Sequence, residues 1–125
     1  MFYFDDGESE SEGVVAKDNE YANKLFADAY PKLAKLAKEG DMYANFILGA
    51  YHNYGIGGIK KDFSQAIKFI ETSAKLGHSG ACYDMGKFYL EGRGVDKDID
   101  KAKYFFEKAK KQNNVRAAEK LKDLH

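Results

Sequence analysis

Cysteine is almost missing from this chain: Cys82 stands alone among 125 residues. An internal disulfide framework is therefore excluded, stability has to come from packing, and a reducing compartment suits the chain. The three histidines, His52, His78 and His125, show no H-x-x-x-H or H-E-x-x-H spacing, and no Cys/His group stands at zinc spacing. No metal or cofactor is expected. No apolar run is long enough to span a bilayer, and the start Met1-Phe2-Tyr3-Phe4-Asp5-Asp6 has neither a basic n-region nor an apolar stretch. The expectation is a cytoplasmic chain without a membrane partner. Proline occurs once, at Pro31, and strand-like alternation is rare, while Ala, Lys and Leu are plentiful. That balance points to an all-α fold.

An excess of one charge is also missing, since twenty Lys/Arg face twenty Asp/Glu. The zero is unevenly built. Residues 1–20 carry seven acids (Asp5, Asp6, Glu8, Glu10, Glu12, Asp18, Glu20) against Lys17, and the remaining nineteen bases face thirteen acids over 21–125. An acidic, flexible arm over 1–18, complementary to the rest of the chain, is the reading of this asymmetry, either as a solubilising tail or as a docking segment whose Phe2-Tyr3-Phe4 and acids engage something. The lysines of the remainder are interspersed with acids, as on solvated helix faces, so nucleic acid is not an expected partner.

What the chain does have is self-similarity. Ala44, Leu48, Gly49, Tyr51, Gly55 and Gly57 recur as Ala81, Met85, Gly86, Phe88, Gly92 and Gly94 at a constant offset of 37. Gly58 is an insertion, after which Ile59, Asp62, Ala66, Phe69, Ile70 and Glu71 meet Val95, Asp98, Ala102, Phe105, Phe106 and Glu107 at offset 36. Ala44, Leu48 and Tyr51 share one helical stripe, as do Ala81, Met85 and Phe88, and each stripe needs a partner to bury against. Glycines at 55–58 and 92–94 end the first helix of each unit. Asp62 and Asp98 read as N-caps of second helices over about 63–76 and about 99–111, with Gln65 completing a capping-box pattern. Ala29, Leu33, Ala37 and Gly40 precede Ala66, Ile70, Ala74 and Gly77 at the same offset, so residues of about 20–39 resemble the second helix of an incomplete unit, kinked at Pro31. Ala117, Ala118 and Leu121 begin a further first helix, a terminal cap over 114–124.

The pattern A-x-x-x-L-G-x-x-Y-x-x-G-x-G-V-x-x-D-x-x-K-A-x-x-Y resembles the Sel-1-like repeat, which is related to the tetratricopeptide repeat. Ala81–Phe105 follow it closely, with Met85 for the leucine and Phe88 for the tyrosine; the Ala44 copy departs in Gly58 and in Gln65 for lysine. The resemblance implies a right-handed α/α superhelix of helix-turn-helix repeats serving as an adaptor or scaffold, not as a catalyst. The organisation it suggests is an arm at 1–18 and a repeat domain at 19–125, made of a partial repeat 20–40, repeats 41–77 and 78–113, and the capping helix.

For chemistry, the polar residues offer little. Gly55-Ile56-Gly57-Gly58 and Gly92-Arg93-Gly94 follow no strand and lack the Gly-Lys-Ser/Thr ending of a phosphate loop, so they read as structural turns. Cys82 adjoins Ala81 and reads as a small core residue. A hydrolase built around His52 or His78 and a carboxylate is the alternative from another class, supported by isolated residues alone. A surface remains: Tyr43, Phe46, Ala50 and Tyr54 form a stripe turned away from the core stripe, with Tyr83, Lys87 and Glu91 among the counterparts in the next repeat. Tyr43, Phe46, Tyr54, Tyr83, Lys87 and Arg93 are the candidate contacts for a partner protein or peptide, with no small-molecule substrate expected. Phe46 and Tyr83 have a second reading, packing between repeats. The expected function is a protein-binding module, an adaptor or an immunity protein that neutralises a toxin by covering it.

Overall fold

A computed structural model describes the backbone of residues 8–124 and the side chains of residues 20–124. It contains six helices, α1 (Glu8–Lys38), α2 (Met42–Tyr54), α3 (Phe63–Lys75), α4 (Ser79–Glu91), α5 (Ile99–Lys110) and α6 (Val115–Leu124), with no strand among the described residues. Consecutive helices pack on one another, most extensively within the pairs α2–α3 and α4–α5. The result is an all-α helical-repeat superhelix, in which each pair buries its neighbour's apolar stripe.

The expected stripes are the core. Ala44, Leu48 and Tyr51 of α2 and Ala81, Met85 and Phe88 of α4 are all buried, against Ala66 and Ile70 of α3 and Ala102 and Phe106 of α5. Gly49 and Gly86 let the paired helices close: a Cβ on Gly86 would stand 2.5 Å from Phe106 Cε1, and one on Gly49 would run into Ile70 Cδ1. The turns that follow use left-handed backbone, Gly55 (φ 66°) and Gly92 (φ 67°) closing α2 and α4. The next glycine of each turn packs on the preceding second helix, Gly57 against Phe26 and Ala27 of α1, Gly94 against Phe63 and Ile67 of α3. Phe26 and Phe63 are one repeat apart, so the two glycines meet α1 and α3 at equivalent positions.

Capping repeats as faithfully as the core. Asp62 and Asp98 accept from the backbone N–H groups of Gln65 and Lys101 at 3.2 and 3.0 Å. Only this half of the expected capping box forms, because the Asp62 N–H donates instead to the His52 carbonyl at 2.8 Å, as Asp98 N–H does to Tyr89 at 2.9 Å. Those two bonds tie each turn back to its first helix. The first helices α2, α4 and α6 have caps in register too: Asp41, His78 and Asn114 accept from Ala44, Ala81 and Ala117 N–H groups at 2.9, 3.0 and 2.9 Å.

The N-terminal boundary differs from expectation. The helix expected over about 20–39 begins at Glu8, so the backbone of 8–18 is helical. Glu8, Glu10 and Glu12 fall at the helix start, where acids complement the macrodipole, so the acidity read as a disorder signal also favours a helix N-terminus. Pro31 lies inside α1, whose helical assignment continues through it. Phe2, Tyr3 and Phe4 lie outside the described residues.

Candidate functional site

Helices α2, α4 and the start of α6 are one repeat apart and line a common groove. Phe46, Ala50, Asn53 and Tyr54 come from α2, at spacings that place them on one face. Gly80, Tyr83 and Asp84 come from α4, and Asn114 and Arg116 from the last repeat. The groove encloses about 280 Å³ and runs on into a narrow recess bounded by Lys87, Phe88 and Arg93. A larger depression of about 510 Å³ beside Val95–Asp98 belongs to the turn of a single repeat and faces open solvent, so the groove that crosses three helices is the better site.

The polar lining of the groove is mixed. Asn53 Oδ1 is buried and has no hydrogen-bond partner. Asp84 takes part in no ion pair, Arg93–Glu91 at 2.7 Å being the only one among the described residues. Burial raises the Asp84 carboxyl to about 6, against the opposing pull of Lys87, Arg116 and Arg93. The same cations also lie near aromatic rings: Arg116 is 4.6 Å and Lys87 5.8 Å from the Tyr83 ring centroid, and Arg93 5.3 Å from that of Phe63.

Of the residues expected to face a partner, Tyr54 is 68 % and Tyr43 58 % exposed, while Phe46, Lys87 and Arg93 are half-buried. Of its two readings, contact or packing, Tyr83 takes the packed one as far as its ring goes: it is 7 % exposed and lies on Phe106 with ring centroids 5.7 Å apart. The stripe reasoning placed it on the outer face, but the next repeat covers that part of α4, so its ring forms the groove wall and not an exposed anchor. Phe46 has both roles anticipated for it, lining the groove and packing on the core. Asn53, Asp84, Asn114 and Arg116 were missed. Asn53 and Asp84 share the stripes of Phe46 and Tyr83, and a search for aromatics passed over their polar side chains.

His52, His78 and Cys82 have structural posts, while His125 lies outside the described residues. His78 caps α4 through Nδ1 and is sandwiched by aromatics, stacked on Phe46 at 4.4 Å and edge-on to Tyr43 at 5.3 Å. His52 Nε2 is hydrogen-bonded to the Tyr30 hydroxyl at 2.9 Å and its ring stacks on Phe69. Neither lines the groove. Cys82 is fully buried, its thiol donates to the Ala74 carbonyl at 3.8 Å, and burial pushes its pKa up, the reverse of what a nucleophile needs. Asn45 makes the corresponding bond to Ala37 one repeat earlier, at 3.3 Å. Among the described residues no three His, Cys, Asp or Glu side chains gather in a metal-holding group.

The cap at His78 predicts a pH dependence. Burial lowers the His78 pKa, and protonating Nδ1 removes the acceptor the helix uses. A histidine whose folded pKa is depressed contributes stability that is intact above the unfolded value of about 6.5 and is lost as pH falls below it. Loss of the cap is expected to lower stability, read from thermal melts, by about 1 kcal/mol between pH 7.5 and 5, against the opposite contribution of Asp84, whose carboxyl, raised to about 6, is relieved as pH falls. His78→Asp keeps a cap over that range and removes its share of the fall, leaving those of Asp84 and of His52, whose pKa is lowered first by burial, with Asp62 opposing. Superimposable profiles for the two proteins would show that the His78 cap contributes nothing.

Comparison with known proteins agrees with this architecture. The Sel1 repeat model matches residues 43–78 and 79–114. The chain is 36% identical over 75 residues to cytochrome c oxidase assembly factor 7 of Xenopus tropicalis, a match covering 59% of this chain and 32% of that protein. It is 44% identical over 52 residues to the protein named beta-lactamase HcpA of Helicobacter pylori, covering 41% of this chain and 21% of that one. Among solved structures it is similar to c5321, a protective antigen of uropathogenic Escherichia coli with an SLR fold, at TM-score 0.74 and 31% identity over 77% of this chain and 20% of that one. The chain thus spans about a third or less of the length of these relatives. No helix among the described residues is long and apolar enough to cross a membrane. With two matched units covering more than half its length, this chain belongs to the Sel1 repeat family.

Proposed function

We propose that this chain is a non-catalytic protein-binding module, an adaptor or scaffold that holds a partner polypeptide in the groove between α2, α4 and the start of α6. One observation carries the reading: successive repeats build a continuous groove, lined by α2, α4 and the start of α6 and rimmed by aromatic side chains. Sel1-repeat proteins generally mediate protein–protein interaction, and a relative of this chain is named for assembly. Tyr43, Phe46, Tyr54, Lys87 and Arg93 are the proposed contacts, in a repeat domain over 19–125. Large aromatics at a groove edge supply contact area at little entropic cost. An immunity protein that neutralises a toxin would use the same surface, its partner then being that toxin. A cytoplasmic setting suits the buried, unpaired Cys82.

Affinity capture from the native host tests this reading. A specific partner is expected to be retained by the parent protein, lost at least tenfold with Tyr54→Ala, since interface aromatics cost 2 kcal/mol or more when truncated, and unchanged with Tyr104→Ala. Tyr104 is comparably exposed but stands on α5, outside the groove. Equal loss with both variants, or retention with both, would move the partner off the groove.

A further inference from the structure

Helix α1 has two faces, and the repeats use one of them. Asn23, Phe26 and Tyr30 meet Gly57, Tyr51 and His52. Among the described residues α1 packs extensively on α2 alone, whereas α3 is held between α2 and α4. The other face is open. Tyr21, Leu25, Lys32 and Leu36 are all exposed, and their spacing sets them on one stripe of the helix. Continued at the same spacing toward the N-terminus, that stripe passes through positions 14 and 18 of α1, a valine and an aspartate. Three large apolar side chains aligned along one helix are more than the single surface hydrophobics of an ordinary monomer. Charge is divided along the same helix: residues 8–20 carry five acids against Lys17, and residues 21–38 four lysines against Asp28.

We propose that α1 pairs antiparallel with α1 of a second copy of this chain, about a two-fold axis at Leu25. A helix acidic in one half and basic in the other is complementary to itself when reversed, which is the argument for a second copy as the occupant of this face. The stripe has the same symmetry. Positions 18 and 32 lie equally far from 25, as do 14 and 36, so Asp18 of each copy stands opposite Lys32 of the other and Val14 opposite Leu36, while the two Leu25 residues meet at the axis. On one edge Asp28 comes opposite Lys24. A parallel pair would instead set acidic half on acidic half. The like-charged approach in the antiparallel register, Lys17 toward Lys35, falls at the rim, where solvent screens it. None of the stripe residues lines the groove between α2, α4 and α6, so this contact and partner binding in the groove are tested separately.

Sedimentation equilibrium of the full chain over about 1–100 µM is expected to show a reversible dimer. Leu25→Lys sets two like charges on the axis at an exposed position, so it should weaken the dimer about a hundredfold with the helical circular-dichroism signal unchanged. Asp18→Lys and Lys32→Glu should each weaken it about tenfold or more, since either creates two like-charged pairs per dimer. An equimolar mixture of those two variants should recover the dimer, because each altered residue then faces its opposite charge, a result that misfolding of either variant would not give. A parent that stays monomeric throughout, a Leu25→Lys protein that dimerises as the parent does, or a mixture that fails to recover would each overturn the proposal. So would a dimer lost with Tyr54→Ala, which would place the contact in the groove.

Discussion

Gly86→Leu is expected to lower the melting temperature by about 8 °C or more, the signature of two helices forced apart. Gly86 lies within α4, where glycine costs about 1 kcal/mol relative to alanine, and that cost is tolerated because α5 comes in against it. A Cβ there would stand 2.5, 2.7 and 2.8 Å from three atoms of the Phe106 ring, and that ring is fully buried with no space to retreat into. Leucine recovers most of the helical propensity, but its four added heavy atoms overpack the helix crossing by about 3 kcal/mol, for a net loss of about 2 kcal/mol. At this chain length each kcal/mol moves the midpoint by about 4 °C. Gly49→Leu acts in the same direction against Ile70 and the Ala66 carbonyl, with a smaller effect because a terminal methyl yields more easily than a ring. Pairing Gly86→Ala with Phe106→Leu should be less damaging than the two single changes combined, since the second residue vacates what the first needs. Thermal melts showing an unchanged midpoint for Gly86→Leu would contradict the helix packing and the repeat register together.

Tyr51→Ala is expected to cost about 3–5 kcal/mol and to loosen α1 from the repeats. Tyr51 is 1 % exposed, its ring meets Phe26 and Tyr30 of α1 edge-on at 5.7 and 5.4 Å, and its hydroxyl donates to the Phe26 carbonyl at 2.8 Å. Further bonds join α1 to the repeats, from Gly57 N–H to Asn23 Oδ1 at 3.2 Å and between Tyr30 and His52. Truncating Tyr51 removes the largest side chain of the α1–α2 contact, and circular dichroism should report lost helix as well as a lower midpoint. Tyr51→Phe removes the hydroxyl bond alone and should cost about 1 kcal/mol with the helical signal unchanged. If Tyr51→Ala leaves both the midpoint and the helical signal intact, α1 is not docked as the second helix of a partial repeat.

The repeat made most of the fold legible. Small residues and glycines at fixed offsets mark where helices must approach or the chain must turn, and these steric demands survive in a single sequence. Ala44, Leu48 and Tyr51, the caps Asp62 and Asp98, and the helices beginning at Phe63 and Ile99 all follow from that logic. The cap at His78 was hidden because imidazole is a rare capping group, although Asp41 and Asn114 at the equivalent positions mark the site. The start of α1 was obscured because acidity signals both disorder and a helix N-terminus.

The groove was half legible. Its aromatic members announced themselves, whereas Tyr83 stayed open between contact and packing, because a helical wheel shows which residues share a face but not how far the next repeat covers that face. Asp84 and Arg116 are ordinary surface residues by sequence. They become a site only when α4 and α6 are set side by side, a juxtaposition that depends on the angle between repeats and not on local pattern.

The most direct test of the groove as the binding surface is site-specific photo-crosslinking in the native host, with a photoreactive phenylalanine placed at Tyr54 in one protein and at Tyr104 in another. A discrete crosslinked partner is expected from position 54, competed by excess unlabelled parent protein, and none from position 104. A crosslink confined to position 104, or the same product from both, would contradict partner binding in the groove between α2, α4 and α6.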